Sequence, residues 1–157
     1  MKHRSRAARI RSLPLRTGNS ASGILIRQGI MFKDARLQTI ICTTDIERAE
    51  RFFSDTLDLR LGGRSHGALV YIVGGSDLRV SPVPEMTPSE HTVVGFAVND
   101  IRKTIRELAA KGIDFDRFPQ FPQDADGILS IPGGDMVAWF RDPDGNLLSV
   151  VQYAASK

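Results

Sequence analysis

The same pattern occurs twice in this chain. Leu37-Gln38-Thr39-Ile40-Ile41-Cys42-Thr43 is rich in β-branched residues and leads into Thr44-Asp45, which predicts a strand entering a helix. Ile46, Ala49, Phe52, Phe53 and Leu57 come next at helical spacing. They predict a helix from about Asp45 to Leu57 with one apolar face, capped by Thr44 or Asp45. Beginning 55 residues further on, Thr92 to Val98 leads into Asn99-Asp100, and Ile101, Ile105, Leu108 and Ala109 form a second apolar stripe. Gly112 ends that stripe as a left-handed residue.

The segments after the two helices also match. The first helix is succeeded by Leu59-Arg60-Leu61, Leu69 to Val73 and Leu78-Arg79-Val80. The second is succeeded by Phe115 to Phe118, Met136 to Phe140 and Leu147 to Val151. Gly74-Gly75 and Asp142-Pro143-Asp144-Gly145 supply tight turns before each last strand. One helix with several closely spaced strands after it implies hairpins rather than a doubly wound parallel sheet. The expected class is therefore α+β, with two tandem βαβββ modules over about 36–84 and 91–153. Between two strands of the second module, Pro119 to Pro132 is a long loop, read either as a lid or as a plain solvated connection.

A length of 157 residues with 41% hydrophobic content suffices for one ordinary globular domain, expected over 31–157. No run of eighteen apolar residues occurs, so no membrane partner is expected. Cys42 is the lone cysteine. It excludes an intrachain disulfide and fits a reducing, cytoplasmic setting.

The formal charge of +3 misleads. Seven of the 21 basic residues, and no acid, fall in residues 1–30, leaving 14 basic against 18 acidic residues beyond. The body is mildly acidic, and no nucleic-acid partner is expected. Residues 1–30 are expected to be a basic, disordered extension with Met31 as the working start. An Arg- and Ser-rich, acid-poor leader also resembles a transit peptide, or an anion-binding tail.

These residues resemble the glyoxalase, bleomycin-resistance and extradiol-dioxygenase (vicinal oxygen chelate) superfamily over roughly Leu37 to Tyr153. Phe140-Arg141-Asp142-Pro143-Asp144-Gly145-Asn146-Leu147-Leu148 carries the resemblance most specifically. Asp45 to Phe53, Gly95 to Ile101 and Leu108 to Gly112 support it in order and spacing. The resemblance implies two modules that curl their strands into an open barrel, with helices outside and a small molecule on the concave face. It also implies a homodimer.

Members of the superfamily usually hold a divalent metal with side chains from the first and last strand of each module. Carried over by position, those places fall on Gln38, Arg79, Val93 and Ser149. Val93 has no donor atom, Ser149 is a neutral hydroxyl, and Arg79 cannot lose its proton. A catalytic divalent site needs about three His or carboxylate ligands. No metal ligand and no cofactor is therefore expected.

Residues two apart in a strand face one way, which groups Gln38, Ile40 and Cys42, and His91 with Val93. A guanidinium beside amide and hydroxyl groups suits a carboxylate or phosphate, and Trp139 and Tyr71 are candidates to cover a planar ligand. The ligand-binding candidates are Gln38, Arg79, His91, Trp139 and Ser149. Each has a plainer reading: Arg79 paired with an acid, His91 solvated, Trp139 a packing residue. Cys42 reads as a wall residue and His66 as exposed, and no catalytic residue is assigned.

Three functions fit these residues. One is a metal-independent binding protein of the resistance or sequestration kind. A second is a metal-dependent lyase, isomerase or dioxygenase of the glyoxalase type. The third is a non-catalytic regulatory or interaction domain.

Overall fold

In a computed structural model of the protein, residues 35–155 and Phe32 are described. The expectations for residues 1–30 and for Met31 as the start lie outside the described residues. β1 (Gln38–Thr43) is followed by α1 (Ile46–Glu50), then by β2 (Arg60–Ser65), β3 (Ala68–Val73) and β4 (Ser76–Pro82). The second module repeats this with β5 (Val94–Ala97), α2 (Ile101–Ala110), β6 (Leu129–Ser130), β7 (Met136–Arg141) and β8 (Leu147–Gln152). Each module forms one four-stranded sheet, in the orders β1-β4-β3-β2 and β5-β8-β7-β6. In both, the first and last strands pair in parallel and the remaining pairs are antiparallel. This is the α+β class with two βαβββ modules that the repeat predicts, in the curled form that the resemblance implies.

Both helices begin on an aspartate in extended conformation. The Asp45 carboxylate accepts from Arg48 N, and the Asp100 carboxylate accepts from Lys103 N. Each thereby satisfies one amide of the unpaired first turn. At the end of α2, Gly112 has φ +88°, and Ile113 N and Gly112 N donate back to Leu108 O and Ala109 O. A residue with a Cβ adopts that φ only with strain.

The first helix departs from expectation. After Glu50 it widens into a π-helical turn over Arg51–Thr56, in which Leu57 N donates to Phe52 O. The wider turn buries the consecutive Phe52 and Phe53 together, with their rings edge to face at 5.1 Å. The second module also departs from expectation. The strand expected over Phe115–Phe118 is reduced to a single bridge from Phe115 to Phe140. The strand paired with β7 is instead the short β6, late in the long loop.

One apolar core lies on the helix-facing sides of both sheets. Ile41, Leu69, Tyr71, Leu78 and Val80 contribute from the first sheet, and Val94, Ala138, Phe140, Leu148 and Val150 from the second. Tyr71 is fully buried there, with its hydroxyl 3.0 Å from Ser54 Oγ. Burial raises its pKa more than the Ser54 bond lowers it. Tyr71 therefore belongs to the core and not to a ligand face. Alternation places the other side chains of each sheet on the opposite face.

The turn between β7 and β8 ties the modules together. Asp144 accepts from Thr43 Oγ1 at 2.6 Å, Thr44 Oγ1 at 2.6 Å, Thr44 N at 3.0 Å and Arg48 Nη2 at 2.9 Å. Asp142 accepts from Asp144 N, Asn146 N and Asn146 Nδ2, and Asn146 Nδ2 also reaches Cys42 O on β1 at 3.1 Å. Burial pushes both carboxylates up. At Asp144 the bonds from Thr43, Thr44 and Arg48 outweigh burial and hold the pKa below its ordinary value. At Asp142 burial prevails and the pKa is raised.

The Asp144 side chain is only 3% exposed and Thr43 is buried beside it, so truncation takes a carboxylate partner from the Thr43 hydroxyl away from water and breaks the link to Thr44 and Arg48. Asp144→Ala should cost about 3 kcal/mol at neutral pH, by urea unfolding. Because the folded-state pKa of Asp144 is depressed, its contribution is complete above the unfolded value, near 4. It is lost as pH falls through the folded value. The gap between wild type and Asp144→Ala should therefore narrow in acid. A gap that does not change with pH would refute the assignment.

Candidate ligand-binding site

On the first sheet, the face away from the core is set by register. Gln38 stands opposite Asp77, Ile40 opposite Arg79 and Cys42 opposite Ser81. On β3, Val70 lies opposite Arg79 and Ile72 opposite Asp77. Asp77 is taken by Arg36, whose Nε donates to it at 3.0 Å. The half-buried Arg79 donates from Nε to Ser81 Oγ at 3.2 Å and from Nη2 to the Ser65 carbonyl at 2.9 Å. Both acceptors are neutral, and among the described residues no carboxylate pairs with Arg79. Its fork is oriented but its charge is not cancelled. Beside it, Ile40 is 58% exposed, so an apolar surface adjoins the cation.

On the second sheet the equivalent face is different. Gly95 and Trp139 both stand opposite Ser149, which is 6% exposed. Ser149 Oγ lies 3.0 Å from where a Cβ on Gly95 would sit, so only glycine leaves that hydroxyl its space. Trp139 Nε1 donates to Thr92 Oγ1 at 3.1 Å. His91 is exposed just before β5, and its backbone amide donates to Ser89 Oγ.

The long loop covers this second face. Phe115 packs on Phe140 in the core region at 5.8 Å, and Asp116 N donates to Trp139 O at 2.7 Å. Asp116 also accepts from Arg141 Nε at 2.9 Å. These contacts fix the loop's entry beside β7. Phe118 then meets the Trp139 ring edge to face at 5.4 Å, and Phe121 stacks on it at 5.7 Å and 15°. Gln123 closes the loop from within, accepting from Phe118 N and donating to Asp116 O and Gly127 O. Asp124 accepts from Ile128 N, Asp126 N and Arg102. Burial alone would raise its pKa, but these bonds lower it.

Of the five candidate residues, Trp139 and Ser149 form one cross-strand pair, and His91 lies next in sequence to Thr92, which holds Trp139. Gln38 and Arg79 share the face of the other sheet, one step apart along the strands. A crevice of about 320 Å³ opens between β1 and β5, lined by Leu37, Thr39, Val94 and Phe96 among others. None of the five lines it. Thr92, Gly95, Phe118 and Phe121 were not among the sequence candidates. Phe121, the one phenylalanine within the Pro- and Asp-rich loop, and Phe118 just before it were the available signal for the last two.

The register makes Arg79 and Ser149 equivalent. Ile40↔Arg79 and Gly95↔Ser149 occupy matching places, five residues before the capping aspartates. Gln38, Arg79, Val93 and Ser149 carry an amide, a guanidinium, an isopropyl and a hydroxyl. This donor set does not fit a divalent cation. Among the described residues no three His, Cys, Asp or Glu side chains come together as a metal site. No described helix is long and apolar enough to cross a membrane.

Residues 36–150 match the model of the Glyoxalase/Bleomycin resistance protein/Dioxygenase superfamily, and the chain belongs to that superfamily. Among solved structures it is similar to a glyoxalase family protein from Bacillus anthracis, at 15% identity and TM-score 0.61, covering 76% of this chain and 94% of that one. It is also similar to a lactoylglutathione lyase from Agrobacterium tumefaciens, at 19% identity and TM-score 0.57, covering 75% and 92%. A glyoxalase/bleomycin resistance protein/dioxygenase from Alicyclobacillus acidocaldarius matches at 17% identity and TM-score 0.56, covering 76% and 92%. At these identities the likeness is one of fold. No curated protein matches the chain.

Gln123→Ala removes one acceptor and two donors from the loop's interior. It should cost about 2 kcal/mol and speed hydrogen exchange at the Phe118 amide. Unchanged exchange there would show that Gln123 does not hold the loop.

Proposed function

We propose that this protein binds a small anionic organic molecule, without a metal, on the sheet faces that point away from the core. The observation that carries this reading is Arg79. Its guanidinium is half-buried, oriented by Ser81 and the Ser65 carbonyl, and left without a carboxylate partner among the described residues. A planar cation held by neutral acceptors keeps N–H donors for a carboxylate or phosphate and needs little ordering when one arrives. Ile40 and Val70 beside it offer an apolar surface to the rest of the molecule.

The chemistry is set by this arrangement. Gln38, Ser81 and Ser149 are neutral hydrogen-bonding groups, suited to orienting a ligand rather than to proton transfer. The reading is therefore of capture rather than turnover, in the manner of a resistance or sequestration protein. It includes a homodimer, by analogy with the superfamily, and a reducing, cytoplasmic setting, which the lone cysteine fits.

Carboxylate or phosphate compounds that bind should raise the melting temperature of wild type, and Arg79→Ala should abolish that rise. A shift unchanged by Arg79→Ala removes Arg79 from the site. Metal analysis of purified protein should find no stoichiometric Zn, Ni, Mn or Fe. A tightly bound ion lost on mutating Gln38 sinks the metal-free reading. Light scattering should give about twice the 17.3 kDa chain mass, and a monomer would remove the dimer.

A further inference from the structure

We propose that Phe121 is a displaceable lid, and that its ring holds on Trp139 the place of a planar aromatic group of the ligand. This rests on the ligand-binding reading above and narrows the ligand to an aromatic compound. Three features of the second sheet's outward face lead to it.

Trp139 is held in position independently of Phe121. Its indole nitrogen is bonded to Thr92, and Phe118 braces its ring edge to face. The platform therefore stays in place when Phe121 leaves. Phe121 contributes the near-parallel contact, at 15°, the geometry that an incoming flat ring would take.

Phe121 is also weakly tethered. It is 41% exposed and sits in the segment 119–122. Gln123 bonds to Phe118 N and closes the loop beneath that segment. The backbone bonds of Phe121 are local, from its N–H to Phe118 O and from Gln123 N to its carbonyl, both 2.9 Å. Swinging the ring out leaves the bonds of Gln123 and Asp124 in place.

A polar group lies beside the indole as well. Ser149 stands opposite Trp139 and Gly95 presents no side chain next to it, so with Phe121 displaced a ring on Trp139 has the Ser149 hydroxyl as its neighbouring polar group. Val137 and Val151 lie one step further along the same face.

The test uses the full chain, in which Trp139 is the only tryptophan. Its emission is followed during titration with benzoate and with cyclohexanecarboxylate, which match in charge but not in flatness. Benzoate should bind more tightly and alter the emission. Phe121→Ala removes the internal competitor and should tighten benzoate binding roughly two- to tenfold, the worth of one aromatic pair, while leaving cyclohexanecarboxylate unmoved. Phe121→Leu keeps an apolar cover without a flat ring and should behave in the same direction.

Equal binding of the two carboxylates, both lost in Arg79→Ala, overturns the lid while the anion reading stands. If neither carboxylate binds, the anion reading fails, and uncharged benzamide then decides the lid. Benzamide binding that perturbs Trp139 and tightens in Phe121→Ala supports the lid, and no such effect overturns it.

Discussion

Asp144 is the interaction on which the arrangement depends. It lies in a turn of the second module, yet its carboxylate is spent on the strand–helix junction of the first, through Thr43, Thr44 and Arg48. Two residues on, Asn146 reaches the Cys42 carbonyl, and three residues after that the same strand presents Ser149. The turn that starts β8 is thus fixed directly against the end of β1. This buried carboxylate and its neighbours join the strand that carries Ser149 to the strand that carries Gln38. A buried carboxylate that accepts from four donors tolerates little displacement, because the carboxylate itself has little water to replace a lost bond.

The two modules share a backbone plan and differ in what their outward faces carry. Matching register places Ile40 and Arg79 in one half where Gly95 and Ser149 stand in the other. The first face is a cation beside aliphatic groups. The second is a tryptophan covered by two phenylalanines from the long loop. Such divergence costs the fold little, because its stability rests on the opposite, buried faces of the same strands. The chain's membership of the glyoxalase superfamily therefore describes the scaffold, while the side chains on the outward faces describe the chemistry.

Much of the scaffold was legible in the residues. Asp45 and Asp100 marked both helix starts, and the apolar spacing marked their buried faces. The 55-residue repeat implied two sheets with the same order of strands. The exceptions have local causes. The consecutive Phe52 and Phe53 are both accommodated by a widened turn, which a spacing of 3.6 does not anticipate. Phe115 looked like part of a strand because its segment follows the second helix as Leu59-Arg60-Leu61 follows the first, but it forms only one bridge before turning over Trp139. Tyr71 looked available as a ligand wall, yet its position in the alternation of β3 directs it into the core with Ser54.

The chain alone determined that there are two βαβββ halves, because periodicity and capping chemistry are local properties. Only tertiary structure decided which side chains meet. It put Phe121 on Trp139 across a long loop, gave Arg79 two neutral acceptors and, among the described residues, no acid, and set Asp144 against Thr43, about a hundred residues away. Such contacts depend on register and loop closure, which no stretch of sequence contains by itself.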